Sequence, residues 1–138
     1  MPNTIRKVNY VYLTTASKAG AAARVLEPLR RANINLLAFC GFPQGRNKAQ
    51  IDLVTDDLAA LQAVARHEKW KLSAVKRAFL AQGTDEPGAA MAPLATMGGA
   101  NINVTAAHAV AAGGGRFGMI FWVASRDYQR AARLLAAV

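Results

Sequence analysis

Two short polar stretches flank the apolar segments of the second half: Asp85-Glu86-Pro87-Gly88, ahead of a helical segment, and Asn103, at the head of a strand-like one. A helix entry presents backbone N–H groups without intrahelical partners and a partial positive charge, so it suits a carboxylate or another anion. Asp85 is an acid beside that entry, and the amide of Asn103 offers a donor and an acceptor together. The same pattern stands 68 residues earlier as Ser17-Lys18-Ala19-Gly20 and Asn35, there without the acid and the proline.

The residues that ordinarily carry catalysis are sparse. His67 and His108 are the only histidines, and no serine, cysteine or carboxylate is arranged around either. His67 falls in the last turn of a helix, where it offsets the dipole. His108 lies five residues past Asn103, on the opposite strand face by alternation. Cys40 is the single cysteine; it allows no intramolecular disulfide and reads as a small buried hydrophobe in "LLAFCGF". "GGGRFG" (113–118) satisfies G-x-G-x-x-G but leads into a strand, "MIFWV", rather than a helix, so it is a hairpin turn and not a dinucleotide fingerprint. No catalytic residue, metal site or cofactor is expected.

The elements that hold these groups occur twice. "GAA…ANIN" at Gly20–Asn35 recurs at Gly88–Asn103, with Leu26 over Leu94 and Leu29 over Met97. Downstream, "IDLVTDDLAAL" aligns with "IFWVASRDYQRAA" once one or two residues are allowed into the turn between. In the first copy, β-branched and aromatic residues predict strands over 7–14, 34–42 and 49–55. A helical stripe follows residue 20, and a second helix opens on acids and closes on bases over 56–70. The second copy gives strands over 77–82, 102–110 and 117–124, with helices reaching Gly99 and spanning 126–137. Pro28 and Pro93 both fall beyond the opening turn of their helices as drawn, so each helix either kinks or is shorter. "KLSAV" (71–75) is available as a fourth strand for the first copy, and runs without a turn signal into the next strand. The second copy lacks a final strand of its own. The expected division is 1–76 and 77–138.

Size and composition agree with a folded chain of this kind. It has 138 residues, 53% of them hydrophobic and 7% aromatic, so the core rests on Ala, Val, Leu and Ile. No apolar run is long enough for a bilayer, "MPNTIRKVNY" is no signal peptide, and a soluble cytoplasmic protein is expected. The net charge of +9 favours acidic partners, but residues 1–77 carry +8 of it and residues 78–138 only +1. Strand residues are bulky on both faces (Val8, Tyr10 and Tyr12 against Val11 and Leu13). Helices cover one face, so a second copy or another subunit is expected on the other.

A βαββαβ unit with a "D-x-P-G" turn before its first helix and "N-I" opening its second strand resembles the ACT domain. The matching residues are Asp85-Glu86-Pro87-Gly88 with Ile102-Asn103-Val104, and more weakly Ser17-Lys18-Ala19-Gly20 with Ile34-Asn35-Leu36. The resemblance covers nearly the whole chain and is closest to small stand-alone proteins of two tandem ACT units. It implies an α+β fold of tandem ferredoxin-like units, with antiparallel sheets and helices on one face. It also implies a non-catalytic regulatory protein that binds an amino acid or similar metabolite where two units meet. The ligand would touch Ser17, Lys18, Gly20, Ile34 and Asn35, or Asp85, Glu86, Pro87, Gly88, Ile102 and Asn103. The implied partners are a second copy in a homodimer or larger oligomer, and a metabolic enzyme.

Plainer readings stand beside these. Asp85 or Thr84 as a helix cap needs no ligand, with Pro87 in the first turn. Gly20 and Gly88 suit a tight turn, and Asn33 and Asn101 suit the left-handed residue that ends a helix. Asn35 and Asn103 serve either a site or an edge hydrogen bond. RNA-recognition motifs share the βαββαβ plan, and Phe117, Phe121 and Trp122 in "GRFGMIFW" are the aromatics that such a reading would use for stacking. A subunit that only docks on an enzyme is the third possibility.

Overall fold

The computed structural model describes residues 3–138. The elements run β1 (Thr4–Ala16), α1 (Ala21–Arg31), β2 (Ala38–Pro43), β3 (Lys48–Val54), α2 (Leu58–Glu68), β4 (Lys76–Thr84), α3 (Met91–Gly99), β5 (Val104–Gly113), β6 (Arg116–Val123) and α4 (Tyr128–Leu134), with one 3-10 turn at Ser125–Asp127. The chain is α+β, in two compact units: a central one, Asn9–Lys76, and a composite one, the segment ending at Val8 together with Arg77–Val138. Hydrogen-bonded neighbours run β2-β3-β1 in the central unit and β1-β4-β6-β5 in the composite one. The pairings β1–β3, β2–β3, β4–β6 and β5–β6 are antiparallel.

The expected division left residues 1–76 together; here the segment ending at Val8 groups with Arg77–Val138. Residues 1 and 2 of that division lie outside the described residues. The physical reason is the missing final strand of the second copy. In the composite unit β1 lies beside β4. Val138 N–H donates to the Ile5 carbonyl (3.0 Å) and Lys7 N–H to the Val138 carbonyl (2.8 Å). In the central unit, 71–75 takes the corresponding role through one residue: Ser73 N–H donates to the Tyr12 carbonyl, and Ser73 Oγ accepts from Tyr12 N–H (2.8 and 2.9 Å). The long strand is therefore β1, with 13 residues, rather than a run through 71–82.

The duplication is more regular than the sequence alignment implied. Leu13 pairs with Ile51, and Ala81 with Met119; Ala38 pairs with Val54, and Ala106 with Trp122. An offset of 68 thus runs through both hairpins, and no extra residue is needed in the turn. Only the last helices differ, by one residue. Each unit builds its core from matching positions: Val11, Leu29, Leu53 and Leu61 in one, Phe79, Met97, Phe121 and Tyr128 in the other. The composite core is aromatic, with the Phe79 ring stacked on Tyr128 at 4.5 Å and 5.4 Å from Phe121.

All four helices stop in one way. After α1, Asn33 N–H donates to the Arg30 carbonyl and Ile34 N–H to the Leu29 carbonyl; after α3, Asn101 donates to Gly98 and Ile102 to Met97. These are Schellman stops, in which one left-handed residue satisfies the last carbonyls and a hydrophobe folds back onto the helix. Asn33 (φ 58°) and Asn101 (φ 56°) are the left-handed residues. Ile34 and Ile102 are the hydrophobes, each buried in its core. The repeated "ANIN" is thus a helix stop copied twice. Lys69 (φ 60°) and Ala136 (φ 50°) fill the same place after α2 and α4, where a Cβ is unfavourable. Ala136→Gly is expected to stabilise the chain by about 1 kcal/mol, read as a higher urea midpoint.

The proline question resolves separately in each copy. α3 begins at Met91, so Pro93 sits in the first turn, where no N–H is missed. α1 runs through Pro28 to Arg31, with Pro28 buried. On β3, β4 and β6 the face away from the main core is also buried within this single chain: Asp52 and Val54, Leu80, Ile120 and Trp122. Of the strand residues that suggested a covered second face, Val8 is buried and Tyr10 and Tyr12 remain partly exposed.

Candidate functional site

Both strand–helix turns are built alike. Ser17 N–H donates to the Asn47 carbonyl and Asp85 N–H to the Gly115 carbonyl, both at 2.9 Å, tying each turn to its hairpin. Ala21 N–H reaches the Lys18 carbonyl (3.2 Å), and Ala89 N–H the Glu86 carbonyl (3.0 Å). Gly20 (φ 83°) and Gly88 (φ 77°) take the left-handed step that reverses the chain. A side chain at residue 20 would be strained on that account, and its Cβ would also come within 3.2 Å of the Arg24 guanidinium.

The helix entries then diverge. α1 starts at Ala21, capped by Gly20, whereas α3 starts at Met91, capped by Ala90; neither has a side-chain cap. The capping reading of Thr84 and Asp85 is therefore corrected: the helix begins six residues beyond Asp85, and Pro87 lies in the turn before it. Asp85, Glu86, Pro87 and Gly88 are all exposed. Arg116, opposite Thr84 in the ladder, has a buried Nη1 with no hydrogen-bond partner among the described residues. Sequence reasoning passed over this arginine because its glycine-rich neighbourhood reads only as a turn. Its place beside the Asp85–Gly88 turn makes it a cation available to an acidic ligand.

At the first turn, Ser17 and Lys18 line a cleft of about 360 Å³ with Phe39 and Phe42 of β2. Those two rings are 40% and 39% exposed, enough to meet a ligand's apolar part.

Other site residues lie elsewhere. β2 starts at Ala38 and β5 at Val104, so Asn35 and Asn103 precede their strands, and both are exposed. The Asn35 carbonyl accepts from Thr55 Oγ1 at 3.0 Å. Neither Asn is near the turn of its own unit. Ser17 follows the Ala16–Lys48 end of the ladder and Asn35 precedes the Ala38–Val54 end, so about 20 Å of strand separates them. Asp85 and Asn103 flank Arg116 and Val123 in the same way, about 23 Å apart. One unit therefore does not bring turn and amide to one small ligand.

The remaining candidates are structural. Cys40 is half-buried opposite Asp52; burial, then the Asp52 charge, push its thiol pKa up and away from the reactive thiolate. His67 Nδ1 lies 3.0 Å from the Glu68 carboxylate. His108 is exposed, edge-on to Trp122 at 5.9 Å. A bulge between Val104 and Ala106 breaks the alternation that set it opposite Asn103. Phe117, Phe121 and Trp122 are only 7%, 0% and 8% exposed, so they offer no stacking platform for bases. Among the described residues no group of three or more His, Cys, Asp or Glu could hold a metal ion, and no helix is long and apolar enough to cross a membrane.

The strand order, duplicated turns and repeated helix stops define a tandem ACT-type fold of the kind found in aspartate kinase regulatory subunits. Among solved structures the chain is similar to protein BT0572 from Bacteroides thetaiotaomicron (17% identity, 97% of this chain and 88% of that one, TM-score 0.73). It is also similar to the ligand-free regulatory subunit of aspartate kinase from Thermus thermophilus (15%, 99% and 95%, 0.62). A third similar structure is E. coli aspartokinase III in complex with lysine and aspartate (13%, 98% and 32%, 0.56). At these identities the likeness is one of fold. No family model and no curated protein matches the chain.

Proposed function

We propose that this chain is a non-catalytic, cytoplasmic regulatory protein that binds an amino acid or a similar small metabolite between ACT-type units. The observation that carries the reading is the pair of glycine-hinged turns, Ser17–Gly20 and Asp85–Gly88. The first leads directly into α1 beside a cleft with exposed rings, and the second precedes α3 and lies beside an unpartnered buried guanidinium nitrogen. A carboxylate suits the helix entry and Arg116, and an α-amino group suits Asp85. The ladder separation adds a constraint: an amide such as Asn103 reaches the same ligand only from a neighbouring unit, which favours a homodimer or larger assembly. The regulatory subunits of like fold support the reading, as does a similar structure in complex with lysine and aspartate. A metabolic enzyme is the partner that such a module would control.

Thermal denaturation with each of the twenty amino acids at millimolar concentration tests the proposal. One of them is expected to raise the melting temperature, since a ligand at 100 times its Kd adds about 2.7 kcal/mol to the folded state. Arg116→Ala and Asn103→Ala are each expected to diminish the shift. No shift with any amino acid would leave the docking-subunit reading in its place.

A further inference from the structure

A second cavity, which shares Thr15 and Ala21 with the Phe39–Phe42 cleft, opens beside α1 within the central unit. It holds about 560 Å³, within the range of small-molecule sites. Arg24, Lys69 and Lys71 line it with Tyr12 and Trp70, and its lining includes no acid. No ion pair engages any of these three cations among the described residues; Arg24 makes only a long bond, 3.4 Å, to the Ala19 carbonyl. All three are exposed, so an anion entering the cavity meets them without displacing an internal partner.

The duplication supplies an internal control. The composite unit has a cavity of about 400 Å³ at the corresponding helix and helix-stop positions, with Ala92 in place of Arg24, Ala136 of Lys69 and Val138 of Lys71. The fold therefore needs none of the three cations at these positions. Lys69 is also a costly choice, because it is held in the left-handed conformation. The other copies of that helix stop use Asn twice and Ala once, so nothing about the stop itself calls for a long cation.

We propose that this cavity binds a small organic phosphate of nucleotide size, with its phosphates on Arg24, Lys69 and Lys71 and its planar part against Trp70. A guanidinium grips phosphate oxygens in pairs, and the two ammonium groups supply point charges beside it. The Trp70 ring, half-buried with one side on the core, suits stacking. Arg24 also lies against the Ser17–Gly20 turn, where it bonds the Ala19 carbonyl, so the phosphate and amino-acid titrations are read separately.

The test titrates the full chain with ADP, pyrophosphate and citrate, followed by calorimetry and by tryptophan fluorescence, with Trp70→Phe separating the Trp70 signal from that of Trp122. The variant carries Arg24→Ala, Lys69→Ala and Lys71→Val together, the residues its own second copy uses. ADP and pyrophosphate are expected to bind the native chain, with ADP alone quenching Trp70. The triple variant should keep its circular dichroism and melt cooperatively while binding ADP at least about tenfold more weakly, a loss of about 1.4 kcal/mol. Lys69→Gly, which relieves the backbone, should also weaken binding, guarding against a folding artefact in the triple variant. Equal binding by native and variant chains would overturn the proposal, as would no binding of ADP or pyrophosphate. Citrate binding in place of both phosphates would overturn the phosphate assignment.

Discussion

Deleting residues 1–8 abolishes cooperative folding of the composite unit; that is the largest effect expected of any change in this chain. The segment supplies the strand beside β4, the buried side chain of Val8, and Ile5 packed against the aromatic core. It also carries the two backbone bonds that tie down Val138. Burying one such aliphatic side chain is worth about 1.5–3 kcal/mol, and each hydrogen bond about 1 kcal/mol net. The sum approaches the roughly 5–15 kcal/mol that holds a typical domain folded. β4 would in addition be left with a bare edge, inviting association with other chains. Amide exchange reads the result directly. Protection should vanish at Phe79–Ala81 and Met119–Phe121 while persisting at Ile51–Leu53. A truncated chain that melts like the intact one would contradict the assignment of this segment to the composite unit.

Phe79→Ala is expected to cost about 3–5 kcal/mol, the range for emptying a fully buried aromatic site. Phe79 is wholly buried between Tyr128 and Phe121, and Tyr128 is itself fixed by a 3.0 Å bond from its hydroxyl to the Ala78 carbonyl. The Arg77 guanidinium lies 4.1 Å from the centre of the Tyr128 ring, closing the stack on its outer side. The counterpart position in the central unit is Val11, equally buried but smaller. Val11→Ala removes two methyl groups, about 1.6 kcal/mol of transfer free energy before any cavity term. Urea denaturation of both variants gives the comparison, and equal losses would contradict the view that the composite core depends on its aromatic stack.

Much of this was legible in the sequence because the relevant forces are local. β-branched runs marked the strands, and the doubled "ANIN" held its own explanation: an Asn tolerant of positive φ followed by an Ile that folds back onto its helix. The assignment of β1 to both units was not legible. Strand pairing is set by contacts far apart in sequence, and nothing in Thr4–Val8 marks it as the neighbour of β4. The start of α3 was misplaced because Asp85 and Pro87 look like a cap and a first-turn proline; the chain instead spends Gly88–Ala90 in a turn. Arg116 and the trio of Arg24, Lys69 and Lys71 escaped notice for a related reason. Cations scattered through a basic chain gain meaning only when folding brings them to one cavity or buries one without a partner. Of the residues expected to form the site, Ile34 and Ile102 went to the cores. The turns and amides remained exposed at opposite ends of their sheets.

The central claim is that a turn and an amide from opposite sheet ends share one amino-acid ligand across neighbouring units. It is tested most directly by recording amide resonances of the labelled chain while each amino acid is added. The expected result is one amino acid that moves the Gly88 backbone amide, or that of Gly20, together with the side-chain amide of Asn103 or Asn35. Spectra that stay unchanged with all twenty amino acids, or a ligand that moves the turns but never either asparagine, would contradict it.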